Sequence, residues 1–172
     1  MFCVVAVLSI AVASTAARAD ALQAGKPSPE LRIMQLDGQK FSLNAQRGKI
    51  VIVNFWATWC APCRAELDAF DVWLRARGDA DVAVLAISMD DVADFKKMRE
   101  VAAGLSYPVA VYDAAALASY GRIWRLPMSF VIDRSGLLRI DGGRGAPQVF
   151  DLPALQRAVD PLLETVALPQ KP

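Results

Sequence analysis

The chain has 172 residues, with 19 basic and 18 acidic side chains, a formal net charge of +1, no histidine and three cysteines. That length suits one domain with a well-buried core, with or without a processed leader. The even charge balance, with no basic run or aromatic–basic stripe, disfavours nucleic acid as a partner. A zinc site is disfavoured too, because it needs four ligands and the chain has no histidine and no second cysteine pair.

In chain order, residues 1–13 form an apolar run of signal-peptide length, followed by Ala17-Arg18-Ala19, an A-x-A cleavage signal, and Asp20. The run is shorter than the roughly 20 apolar residues of a membrane span, and no basic residue directly follows Met1. Residues 1–19 are read as a cleaved secretory signal, with an uncleaved membrane anchor as the alternative. Cleavage removes Cys3 and Arg18, which leaves 18 basic against 18 acidic residues and Cys60 and Cys63 as the remaining sulfur pair.

Residues 20–30 are a polar arm containing Gly25, Pro27 and Pro29, expected to be partly mobile. Residues 31–166 are assigned to one domain and residues 167–172 to a frayed tail. Leu31–Leu36 and Lys40–Leu43 alternate loosely around Asp37-Gly38, the signature of a β-hairpin. Residues 50–56 are an apolar, β-branched central strand. A helix is expected over 61–76, with Leu67, Phe70, Trp73 and Leu74 as its apolar stripe and Gly78-Asp79 as its stop. A parallel strand over 82–88 follows, then a helix over 92–103 capped by Asp90-Asp91, with Phe95, Met98 and Val101 on one face. Beyond it the pattern predicts a strand at 108–112, a short helix or turn at 114–120, and a hairpin of 128–133 with 137–140. A last helix starts at Asp151, with a kink or restart at Pro161. A right-handed β-α-β crossover makes 50–56 and 82–88 neighbours in a mixed sheet, with helices expected on both faces.

The stretch that carries chemistry is Val51-Ile-Val-Asn-Phe-Trp-Ala-Thr-Trp-Cys60-Ala-Pro62-Cys63. A strand feeding a helix through Cys-x-x-Cys places a sulfur at the positive end of a helix dipole, which lowers a thiol's pKa. Pro62 fits the first turn, where its missing N–H costs nothing. Three readings of the pair stay open: a redox-active dithiol, a structural bridge and a metal site. The first is favoured, because a bridge closing so short a loop removes little entropy from the unfolded chain.

Trp59-Cys60-Ala61-Pro62-Cys63 after an apolar strand, together with Leu126-Pro127 before Met128–Asp133, resembles the thioredoxin superfamily. The front hairpin, Gly48-Lys49 and the phrase Val-Asn-Phe-Trp-Ala-Thr-Trp-Cys point to its exported TlpA/ResA/DsbE-like branch, over residues 25–165. The resemblance implies a thioredoxin-like α/β fold, a central mixed sheet flanked by helices with an N-terminal hairpin extension. It implies Cys60 as nucleophile, Cys63 as the buried resolving thiol, a Cys60–Cys63 disulfide and a cis Pro127 facing the pair. Glu66, three residues after Cys63, matches a family glutamate close to the thiols, and a solvated helix glutamate is the plainer reading. Asn54 stands where cytosolic thioredoxins have a buried Asp, and is expected to bond to backbone. Trp59, Pro62, Leu126 and Pro127 are the candidate client-binding residues, while Arg125 and Met128 are expected to border the docking groove.

The function these observations imply is a periplasmic or otherwise exported thiol-disulfide oxidoreductase, monomeric, without metal or other cofactor. By resemblance it would act as a reductant of disulfide-bearing client proteins, such as apocytochrome c or copper-site proteins, and be re-reduced by a membrane thiol-disulfide donor. A peroxiredoxin-like peroxidase and a Cu(I) metallochaperone are the rivals, since one fold hosts several chemistries and Cu(I) suits thiolates.

Overall fold

The structure, a computed structural model, describes residues 22–78 and 80–164. The leader, Asp79 and the tail expected at 167–172 lie outside them. β1 (Arg32–Met34) and β2 (Lys40–Ser42) pair antiparallel, and the turn between them forms as its Asp-Gly pair dictates. Asp37 Oδ1 accepts the Gln39 N–H at 2.9 Å, and Gly38 takes φ +85°, where a side chain would be strained. This hairpin is a sheet of its own, joined to the main one by a Gln35–Ala110 bridge.

The main sheet has the order β5-β4-β3-β6-β7. β3 (Ile50–Trp56) lies at its centre and is buried along its whole length, as a strand covered on both faces must be. Parallel β4 (Val82–Ser88) runs in register from Ile50–Val82 to Trp56–Ser88, and β5 (Val109–Val111) pairs parallel on its far side. Antiparallel β6 (Met128–Ile132) flanks β3 with Phe55 opposite Met128, and β7 (Leu138–Ile140) closes that edge.

Three helices cover the sheet: α1 (Ala61–Arg77), α2 (Phe95–Ala102) and α3 (Leu152–Glu164). Leu67, Phe70 and Trp73 of α1 and Leu155 and Val159 of α3 share a core with Ile50, Ile52 and Trp56, and Val101 and Ala102 of α2 pack onto the same core. The expectation of helices on both faces is corrected here. Strands β3, β4 and β5 advance in one direction across the sheet, so right-handed crossovers place α1 and α2 on the same side. The other face is covered by Ile33 and Phe41 of the hairpin and by Leu117 and Tyr120 of a short 3-10 turn.

Three smaller expectations also change. The arm is docked: Gly25 N–H and Leu138 N–H bond the Leu138 and Lys26 carbonyls at 2.7 and 2.9 Å, because β7 would otherwise present an unpaired edge. α2 starts at Phe95 after a 3-10 turn over Val92–Asp94, and Met98 is buried while Phe95 stands outside under Arg99. α3 continues through Pro161, which sits in its last turn and has no N–H to add to the helical ladder.

Candidate active site

The cysteines sit at the carboxyl end of β3, the end at which open α/β sheets bind their ligands. A groove of about 640 Å³ near Lys49 and Val82 opens at the amino ends of the same strands and holds neither cysteine. Cys60 is the N-cap of α1, and its Sγ accepts the Cys63 N–H at 3.3 Å. Pro62 occupies the first turn of the helix, on the exposed side. The two sulfurs are joined, with the Cα atoms 5.3 Å apart. Cys60 is 6% exposed and Cys63 0%, so Cys60 is the more accessible residue of the pair. Unpaired N–H groups at the helix start favour a thiolate on Cys60 when the bond is reduced.

Trp59 stands beside the disulfide, 73% exposed. The loop that carries it is clamped by Asp90, at the end of β4. Asp90 Oδ2 accepts the Thr58 N–H at 2.8 Å, and its Oδ1 accepts the Thr58 hydroxyl at 2.7 Å. The Ser88 hydroxyl donates to Oδ2 at 2.6 Å. The sequence reading placed Asp90 at the cap of the next helix. The Thr58 contact joins residues 32 apart, and no local pattern signals it.

Behind the disulfide, Glu66 is 1% exposed, so the solvated-glutamate reading is corrected. Its Oε2 accepts the Asn54 amide at 2.7 Å and its Oε1 accepts the Phe150 N–H at 2.8 Å. Asn54 Nδ2 also donates to Ser129 Oγ at 2.8 Å, so its partners are side chains and not the backbone expected from sequence. Burial pushes the Glu66 carboxyl up from 4.5 to about 7, against the opposing pull of the Phe150, Asn54 and Ser129 hydrogen bonds. A signal for this burial was present in the sequence. Cys63, Glu66/Leu67, Phe70 and Trp73/Leu74 follow the helical period, which puts Glu66 inside the stripe. Ser129 and the Phe150 N–H carry no such signal.

The Leu126–Pro127 peptide is cis. Continuing the β3–β6 register one step beyond Phe55–Met128 sets Pro127 opposite Trp56, at the cysteine end of the sheet. Pro127 is buried and Leu126 half-buried. Among the described residues the Leu126 main chain makes no hydrogen bond, an open edge for an extended segment. Arg125 donates to the carbonyls of Gly142 at 2.6 Å and Gly145 at 3.1 Å, and lies 4.6 Å over the Trp124 ring. Gly142 is where this loop meets β6, since a Cβ there would strike the Ser129 backbone. Met128, expected at the groove, is 1% exposed and turned into the core on the opposite face of the sheet from Cys63.

A dithiol at a helix N-cap, a cis proline across from it and a central strand between them define a thioredoxin-fold thiol-disulfide oxidoreductase. The comparisons agree: residues 24–140 match the AhpC/TSA family, and the chain belongs to that family, as a TlpA/ResA/DsbE-like member of the thioredoxin superfamily. It is 30% identical over 121 residues to the thioredoxin-like protein YneN of Bacillus subtilis, covering 69% of this chain and 70% of that one. It is 31% identical over 115 residues to the thiol-disulfide oxidoreductase ResA of Bacillus thuringiensis, covering 67% and 66% respectively. The chain thus spans about two thirds of the length of these relatives. A thioredoxin-family thiol:disulfide interchange protein from Chlorobium tepidum superposes with a TM-score of 0.66 at 28% identity, covering 80% of this chain and 96% of that one.

Proposed function

We propose that this protein is an exported reductant of protein disulfides, cycling between a Cys60/Cys63 dithiol and the disulfide seen here. The observation that carries the reading is the asymmetry of the pair, with Cys60 keeping a trace of exposure next to exposed Trp59 and Cys63 fully buried one turn from a buried carboxyl group. In the reduced protein the Cys60 thiolate attacks one sulfur of a client disulfide, which breaks the client S–S bond and forms a mixed disulfide. The released client sulfur takes up a proton. Cys63 then loses its proton, for which Glu66, one turn further along α1, is the acceptor above pH of about 7. The Cys63 thiolate attacks Cys60 Sγ, closing the intramolecular disulfide and freeing the second client thiol. Two electrons and two protons from an external dithiol, proposed to be a membrane thiol-disulfide donor, restore the starting state.

The reducing direction is favoured because Ala61-Pro62 between the sulfurs supplies no positive charge to stabilise a thiolate as a histidine would. A measured potential near about −120 mV, that of a strong oxidant, would reverse the direction. Export rests on the leader-like residues 1–19, and among the described residues no helix is long and apolar enough to cross a membrane. Apocytochrome c and copper-site proteins are the client classes the resemblance suggests. A peroxidase would need Thr or Ser three residues before Cys60, where Ala57 stands. For a copper chaperone, the spare soft ligand Met128 is turned to the other face of the sheet.

The experiment is a Cys63→Ser trap. Without the resolving thiol, client proteins should accumulate as mixed disulfides on Cys60, visible as reductant-sensitive adducts in the exported fraction. A trap that captures no protein there would sink the reading.

A further inference from the structure

Resting on that reading of the dithiol, we propose that the rim around the cis proline selects client segments that carry carboxylates beside their cysteines. Arg122, Trp124 and Arg144 line one depression of about 280 Å³ along the segment that leads into the cis proline, with Arg125 over the Trp124 ring. The carboxylate lining it is Asp141, which pairs with Arg144 Nε at 3.1 Å and is itself almost buried. Arg122 is exposed and has no ion-pair partner among the described residues.

Arg125 is held by carbonyl oxygens, from Gly142 and Gly145 and more distantly Arg144 and Ala146. Carbonyl dipoles orient a guanidinium without cancelling its charge, and the Arg125 Nε is buried with no partner. On the other flank, Arg64 and Lys97 share a second depression with Trp59 and Glu100, and Lys97 bonds Asp94 at 2.7 Å. On the proline flank three cations, Arg122, Arg125 and Arg144, thus face one carboxylate, Asp141, while on the other flank Arg64 and Lys97 are balanced by Asp90, Asp94 and Glu100. The whole chain is nearly neutral at +1, so the excess is local. An extended segment laid along the open Leu126 edge runs between these flanks. A carboxylate on it meets Arg122 and Arg125, and a lysine is repelled. Exposed Trp59 and Trp124 supply apolar contact on either side without sequence preference.

Rim charges act mainly on the association rate and are screened by salt. The test uses the reduced full-length protein and three peptide disulfides whose cysteines are flanked by glutamate, glutamine or lysine. At low salt the glutamate peptide should be reduced roughly 3- to 10-fold faster than the lysine peptide, with glutamine between them. The gap should close towards equality at about 0.5 M salt. Arg122→Glu should remove or invert the order, and Arg122→Gln should narrow it. Equal rates at low salt, or a faster lysine peptide, overturn the selectivity. Failure to reduce any of the three overturns the dithiol reading itself, and the selectivity with it.

Discussion

On the Cys60 side of the disulfide the neighbours are an exposed tryptophan, a proline in the first helical turn and a loop tied down by Asp90. On the Cys63 side they are Glu66 and Asn54, both buried. Each half contains a buried carboxyl group, and the two are used differently. Asp90 receives three donors from Thr58 and Ser88 and locks a loop in place. Glu66 is bonded by an amide and a main-chain N–H, with no cation in contact among the described residues, so burial dominates and the proton is held up to about pH 7. In the proposed cycle the outer half would meet the client protein, and the inner half would exchange a proton near neutral pH.

If that division is right, Glu66→Gln has the largest effect. Resolution of the mixed disulfide should slow roughly a hundredfold at pH 8, and the pH–rate profile should lose its inflection near 7. A profile with the same inflection in the Gln variant would give the inner half a packing role only.

The same carboxyl group also makes stability depend on pH. Its folded pKa of about 7 lies above the ordinary 4.5, so the folded state binds the proton more tightly than the unfolded chain. That contribution is fully present below about 4.5 and is lost as pH rises through about 7. Denaturant titrations should therefore show the protein losing on the order of 3 kcal/mol across that window relative to its Glu66→Gln variant. Parallel curves for the two proteins would contradict the assignment.

Asp90→Ala should cost about 2 kcal/mol, because it leaves the Thr58 N–H and two hydroxyls without their acceptor. It should leave the inflection near pH 7 where it is, since Asp90 belongs to the outer half. A shifted inflection would show that the halves are coupled. The smallest effect is expected for Trp59→Ala. Stability should change by no more than about 0.5 kcal/mol, as for other exposed side chains. Exchange with a folded protein client should slow, while exchange with a small dithiol should not. Equal slowing of both would place Trp59 in the chemistry and not in docking.

What the sequence determined by itself is what short-range physics governs. An apolar run of strand length, a Cys-x-x-Cys with proline in the first helical turn, an Asp-Gly turn and a proline opening a strand each act within a few residues. Those features carry the order of elements, the dithiol and the position of Pro127, and the structure follows them closely. The tertiary structure decided which polar groups were taken out of water, and beside what. Glu66 is buried because the α1 stripe lies over Asn54, and it is bonded because a loop 84 residues away delivers the Phe150 N–H. Asp90 became a clamp and not a cap because β4 ends beside the loop leaving β3. Met128 left the groove because alternation along β6 turns it to the far face, and the arm was ordered by the free edge of β7. Each of these outcomes depends on packing between segments distant in sequence, where periodicity and turn chemistry carry no information.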